Sequence, residues 1–114
     1  MNNASPLKDE TVIDRLKLDV GEDVLPLLEQ AFKGEIETST HTLQKSLAQS
    51  DLALFETTAH ALKSAAASFG AMQLSDICRE MEFAAKDSKP IGHLEELLKN
   101  FGAIAAKTNQ AFGF

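Results

Sequence analysis

Apolar residues recur every three to four positions along nearly the whole chain, in segments separated by only a few residues, and that period belongs to helices. With about 100° of rotation per residue, the series Leu25, Leu28, Phe32, Ile36, Leu43 and Leu47 stays within a stripe roughly 100° wide, one helix of about seven turns. Gly21 marks its boundary, Pro26 falls in the first turns where a missing N–H costs little, and Gly34 lies inside the pattern without ending it. Ser50-Asp51 then offers capping oxygens ahead of Leu52, Phe55, Ala59, Leu62, Ala66 and Phe69, a run that Gly70 closes. A further stripe runs through Leu74, Ile77, Cys78, Met81 and Ala85. Asp87-Ser88-Lys89-Pro90 breaks it and starts a last helix carrying Leu94, Leu97, Leu98, Phe101 and Ala105. At the start, Ser5-Pro6 has the form of a cap with proline at the first helical position, opening a short helix through Val12, Ile13 and Leu16.

Five helices, four of them long, joined by short connections force sequential neighbours to pack antiparallel. The expected fold is therefore all-α: an up-down-up-down four-helix bundle with a short additional N-terminal helix, residues 1–114 forming one domain. With 44% apolar residues the chain has the material for a single core without staples, and its lone cysteine, Cys78, allows no internal disulfide. That cysteine count, and an N-terminus (Met1-Asn2-Asn3-Ala4) unlike a secretory leader, point to a cytoplasmic protein. No apolar run approaches the roughly 18–20 residues of a membrane helix. A formal net charge of −6 makes nucleic acid an unfavourable partner, because affinity there comes mainly from Lys and Arg on phosphates. The expected partner is protein.

The helix beginning at Leu52 carries the chemistry. Setting its apolar stripe toward the core places Glu56, His60, Lys63, Ser64 and Ala67 together, roughly 80–180° away, facing solvent. Around His60 the chain reads Ala59, Ala61, Ser64, Ala65, Ala66, Ala67, Ser68, so a band of helix beside an exposed imidazole is nearly bare and another protein can approach the ring. Lys63, one turn on, can set an ammonium near an anion bonded to that ring. An imidazole, with a reference pKa of about 6.5, is the side chain whose neutral form offers a nucleophilic nitrogen lone pair near neutral pH. The sequence contains no GxxxxGK[ST], no GxGxxG and no kinase signature. A phosphoryl group on His60 must therefore come from something other than ATP, with Mg²⁺ and the remaining transition-state stabilisation supplied by whatever docks.

The stretch His60-Ala61-Leu62-Lys63-Ser64-Ala65-Ala66-Ala67-Ser68-Phe69-Gly70-Ala71, followed by Leu74, Cys78 and Met81-Glu82, resembles the signature of histidine-containing phosphotransfer (HPt) domains. The similarity is greatest to the stand-alone phosphotransfer proteins of bacterial quorum-sensing relays. Length and five-helix layout match that family over essentially the whole chain. The resemblance implies that His60 accepts a phosphoryl group from the phosphoaspartate of one receiver domain, on a hybrid sensor kinase, and hands it to the aspartate of a response regulator. It implies Lys63 as the cation beside the phosphate, Gly70 as the turn closing the active helix, and Leu62, Phe69, Leu74 and Cys78 as packing positions. Most of the family has glycine where this chain has Ser64. The hydroxyl is a candidate hydrogen-bond donor to a phosphoryl oxygen and a source of partner selectivity. Ala59 and Ala67, with Met72 near the helix turn, are candidate apolar contacts for receivers, and Lys86 a candidate positive charge near the ring, ahead of Arg79. No cofactor of the chain's own is expected, the Mg²⁺ belonging to the receiver, and a monomer is expected.

Other readings stand beside this one. His41 and His93 have no lysine three residues on and are surface residues by pattern. Cys78 lies on an apolar stripe and reads as a small buried hydrophobe. A di-iron bundle would need Glu-x-x-His pairs projecting inward, whereas Glu37–His41 and Glu56–His60 are four apart and point outward. A helical adaptor that binds receivers without accepting phosphate shares the same fold and surface; only the chemistry of His60 separates the two.

Overall fold

Among the described residues the chain forms five helices: α1 (Glu10–Val20), α2 (Leu25–Ala48), α3 (Leu52–Ser68), α4 (Met72–Lys86) and α5 (Ile91–Phe112). The computed structural model describes residues 5–114, so the expectation concerning Met1-Asn2-Asn3-Ala4 lies outside the described residues. Helices α2 to α5 form the antiparallel bundle, each packed on its sequence neighbours with α5 closing back on α2, while α1, whose one buried residue is Ile13, rests against α2. Among the described residues, no helix is long and apolar enough to cross a membrane.

The stripes read from the sequence meet in one core. Phe32, Ile36, Leu43, Phe55, Leu62, Leu74, Met81, Leu94 and Phe101 are all buried in it, each such side chain contributing about 1.5–3 kcal/mol relative to exposure. At one end Phe32 stacks on Phe69 with ring centroids 4.5 Å apart and planes 2° from parallel. Phe112 and Phe114 meet Phe32 edge-on at 5.7 and 6.2 Å. Asp51 caps α3 as its position predicts, its carboxylate accepting the Leu54 N–H at 3.1 Å.

The N-terminal segment departs from expectation. Ser5-Pro6 does not open α1; Asp9 does, accepting the Thr11 N–H at 3.0 Å. The residues before it serve a different helix. Helix α4 has no capping side chain of its own, and the Pro6 carbonyl accepts the free N–H groups of both Met72 and Gln73 at 3.1 Å, while Ser5 Oγ donates to Asp76 Oδ2 at 2.6 Å. A local cap-and-proline pattern was thus used for a long-range cap, which fixes the start of α4 and hence its register against α3.

Candidate functional site

Helix α3 sends Phe55, Ala59, Leu62 and Ala66 fully into the core, and the same 3.6-residue period turns His60 outward, leaving its side chain 59% exposed. Its ring is not free, however. Nδ1 lies 2.7 Å from Oε2 of Glu82 on α4, and the ammonium of Lys63 donates to the other oxygen, Oε1, at 2.8 Å. One carboxylate therefore bridges His60 and Lys63 of α3. The Glu82 side chain is only 7% exposed, Lys63 24%. A further hydrogen bond, from Ser75 Oγ to the Lys63 carbonyl at 3.1 Å, ties α4 to α3 within the same segment and holds the two faces in register.

The electrostatics follow from this geometry. Burial acts to raise the Glu82 pKa, but the hydrogen bonds from Lys63 and His60, together with the charges of both, outweigh it and hold the carboxyl below its ordinary 4.5. Glu82 is thus an ionised, acceptor-only group near neutral pH. The hydrogen between it and the imidazole must then sit on Nδ1, and in the neutral ring the lone pair is left on Nε2, the outward tip. A carboxylate that fixes the tautomer of a nucleophilic or metal-binding imidazole in this way is a recurrent arrangement in catalytic sites. Here it presents a nucleophilic nitrogen to solvent.

Sequence reading did not assign Glu82 a role. The signal was present: Glu82 follows Cys78 by four residues and precedes Ala85 by three, so a carboxylate stands at the edge of the α4 apolar stripe where an aliphatic residue would be ordinary. Among the expected site residues, Lys63 is brought to the ring through Glu82. Ser64 is exposed one turn beyond His60, and Ala61 and Ala67 are exposed on the same helix. Ala59 is a correction: it is 0% exposed, because its register places it with Phe55, Leu62 and Ala66, and it offers no surface to a partner. Met72, half-buried at the start of α4, has its N–H bonded to Pro6. Lys86 is exposed one turn past Glu82, its ammonium 6.0 Å from the ring centroid of the exposed Phe83. Gly70 closes α3 at φ +74. Cys78 is fully buried, and burial first, with the neighbouring Glu82 charge second, pushes its thiol up to about 12 against a smaller opposite pull from Lys63. His41 and His93 are exposed on α2 and α5.

The chain is similar to known proteins in sequence and in fold. The sequence pattern of the Hpt domain matches residues 27–107. The phosphorelay protein LuxU of Vibrio cholerae is 34% identical over 97 residues, 80% of this chain and 86% of that protein. LuxU of Vibrio vulnificus is 28% identical over 106 residues, covering 93% and 91%. The crystal structure of the histidine-containing phosphotransfer protein HptB from Pseudomonas aeruginosa PAO1 superposes with a TM-score of 0.89 over 96% of this chain and 94% of that one, at 24% identity.

Proposed function

The chain belongs to the Hpt domain family and is a histidine phosphotransfer protein of two-component phosphorelay signalling, and from that premise we propose that His60 is the residue that carries the phosphoryl group. The observation that supports this assignment is the hydrogen bond of Nδ1 to the buried Glu82 carboxylate, which leaves Nε2 as an exposed lone pair. In the forward step the Nε2 lone pair attacks the phosphorus of an aspartyl phosphate. A P–N bond forms, the P–O bond to the aspartate breaks, and the receiver recovers its carboxylate. The imidazolium so formed keeps its Nδ1 hydrogen on Glu82, which offsets the new positive charge on the ring. In the return step a second receiver's aspartate attacks phosphorus and the electron pair of the P–N bond goes back to Nε2.

Proteins of this family act on receiver domains. On the proposed reading the donor is the receiver of a hybrid sensor kinase and the acceptor that of a response regulator. The divalent cation that offsets charge on the transferring group is the receiver's contribution, and this chain supplies the nucleophile and its alignment. Lys63 adds positive charge on the α4 side of the ring. Ser64 and Ala67, small and exposed, leave the approach to His60 open, and Met72 and Lys86 on α4 are the further residues offered to a receiver. Such a contact belongs at the transient end of interface sizes, below about 1,200 Å², since the partner must leave after each transfer. A cytoplasmic monomer suits that traffic. Replacing Ser64 with glycine tests its share: altered relative rates to two receivers support a selectivity role, and equal rates to every receiver remove it.

The deciding experiment mixes the protein with a phosphorylated receiver and follows intact mass and acid-labile phosphate, comparing the parent with His60→Gln. Acid-labile, base-stable phosphate on the parent and none on the variant is the expected result. No label on a folded parent across several receivers would reduce the chain to a docking adaptor.

A further inference from the structure

Three seams of the bundle join helices that follow one another through turns of three or four residues, so connectivity itself brings them together. The fourth, α2 against α5, has two helices between its members and is held by packing alone. That packing is thin. Two grooves run along the seam: one of about 430 Å³, lined by Gln44 and Leu47 of α2 and Leu98 of α5, and one of about 400 Å³, lined by Ile36 and Thr40 of α2 and Asn109 of α5. Gly102 lines both, and a Cβ placed on it would meet nothing within 4 Å. The two halves of α5 are also anchored unequally. Leu94, Leu97 and Phe101 are buried before Gly102, but only Ala105 and Thr108 after it.

Among the described residues no hydrogen bond or ion pair crosses from α2 to α5, whereas three hydrogen bonds cross from α3 to α4. Thr40 Oγ1 turns back to the Ile36 carbonyl of its own helix at 2.7 Å, and Asn109 Oδ1 is buried with no donor. A carbonyl shut away without a partner costs free energy that exposure to water recovers. One end of the seam is fastened. Gly113, at φ +76, and the Phe114 N–H, donating to the Asn109 carbonyl at 2.8 Å, turn the chain back after α5. Phe114 thereby lines the second groove and meets Phe32 of α2 edge-on at 6.2 Å, beside Phe112 at 5.7 Å.

We infer that the C-terminal half of α5 is a latched strap: it swings away from α2 as one unit about Gly102, with Phe114 as the latch and Asn109 as the polar group that gains water on opening. Such an opening lies below global unfolding in free energy. The seam between α3 and α4, which carries His60, Lys63 and Glu82, stays closed throughout. Opening uncovers an apolar strip, since Ile36 and Ala105 are 2% and 6% exposed in the closed bundle.

The test is amide hydrogen exchange of the full chain followed by NMR under native conditions, with backbone amide spectra as the check on folding. In the parent, amides from Ala105 to Phe112 should share one level of protection, lower by on the order of a hundredfold than that of Leu62 to Ala66 in α3. Protection that instead rises residue by residue inward from Phe112 is ordinary fraying and overturns the inference. Two variants move the level in opposite directions. Phe114→Ala should speed exchange of the strap about tenfold and change that of Leu62 to Ala66 by less than about twofold. Equal acceleration in both helices would show a single cooperative unit with no strap. Asn109→Leu replaces the unpaired acceptor with an apolar group of similar size and should slow exchange of the strap by about threefold or more. Unchanged or faster exchange in that variant would show that the amide has no part in opening.

Discussion

The Gly70 carbonyl accepts the Asp9 N–H at 2.9 Å, and a Cβ placed on Gly70 would stand 2.9 Å from the Asp9 carbonyl oxygen and 3.0 Å from Val12 Cβ. Gly70 also sits at φ +74, a region that L side chains enter only with strain. The turn between α3 and α4 is thus the seat on which the start of α1 rests, and both its backbone angle and its lack of a side chain are needed. Gly70→Ala should cost about 1–3 kcal/mol, since neither Asp9 backbone nor the α1 helix can yield cheaply. Urea denaturation checks it; a loss under about 0.5 kcal/mol would mean that α1 simply lifts away.

Cys78 should resist thiol reagents in the folded protein. Its sulfur is fully buried and its thiol, pushed up to about 12, has almost no thiolate at neutral pH. Labelling with iodoacetamide should be slow in native buffer and rapid in denaturing urea, so that its native rate reports opening of the bundle. Rapid labelling without denaturant would contradict the packing of α4.

The bundle was legible because helical period and short loops leave few alternatives. Phe55, Ala59, Leu62 and Ala66 lie on the stripe that the sequence marks, and Asp51 and Gly70 bound α3 as their chemistry requires. What local pattern hid was tertiary. Ser5-Pro6 carries a helix-start signature, yet Pro6 caps α4, some 66 residues along, because the segment folds back over the α3–α4 turn. Ala59 was grouped with the open band around His60 although its own register places it in the core. Glu82 was half visible: its position at the edge of the α4 stripe is a sequence fact, but its partners on α3 are fixed only by how the two helices pack.

His41→Gln and His93→Gln should leave phosphoryl acceptance unchanged. Both side chains are exposed on helices other than α3, and no carboxylate is bonded to either among the described hydrogen bonds. Acid-labile phosphate on each variant, followed by intact mass alongside His60→Gln, makes the check. Loss of label in either would place a second phosphoryl acceptor on the bundle.

Glu82 makes the fold itself sensitive to acid in a definite direction. Its carboxyl lies lower in the folded protein than its ordinary 4.5, despite burial, because Lys63 and His60 bond to the ionised form. A depressed folded value means that the unfolded chain binds this proton first as pH falls. The stabilisation is therefore complete above about pH 4.5 and disappears as pH drops through the lower folded value. Glu82→Gln removes the titration, and its stability deficit relative to the parent should be greatest at about pH 5–7 and shrink below about pH 4.5. Urea midpoints for both proteins across that interval provide the measurement. A deficit of constant size down to about pH 3 would show that the carboxyl is not held ionised by its partners, and would remove the basis for placing the His60 hydrogen on Nδ1.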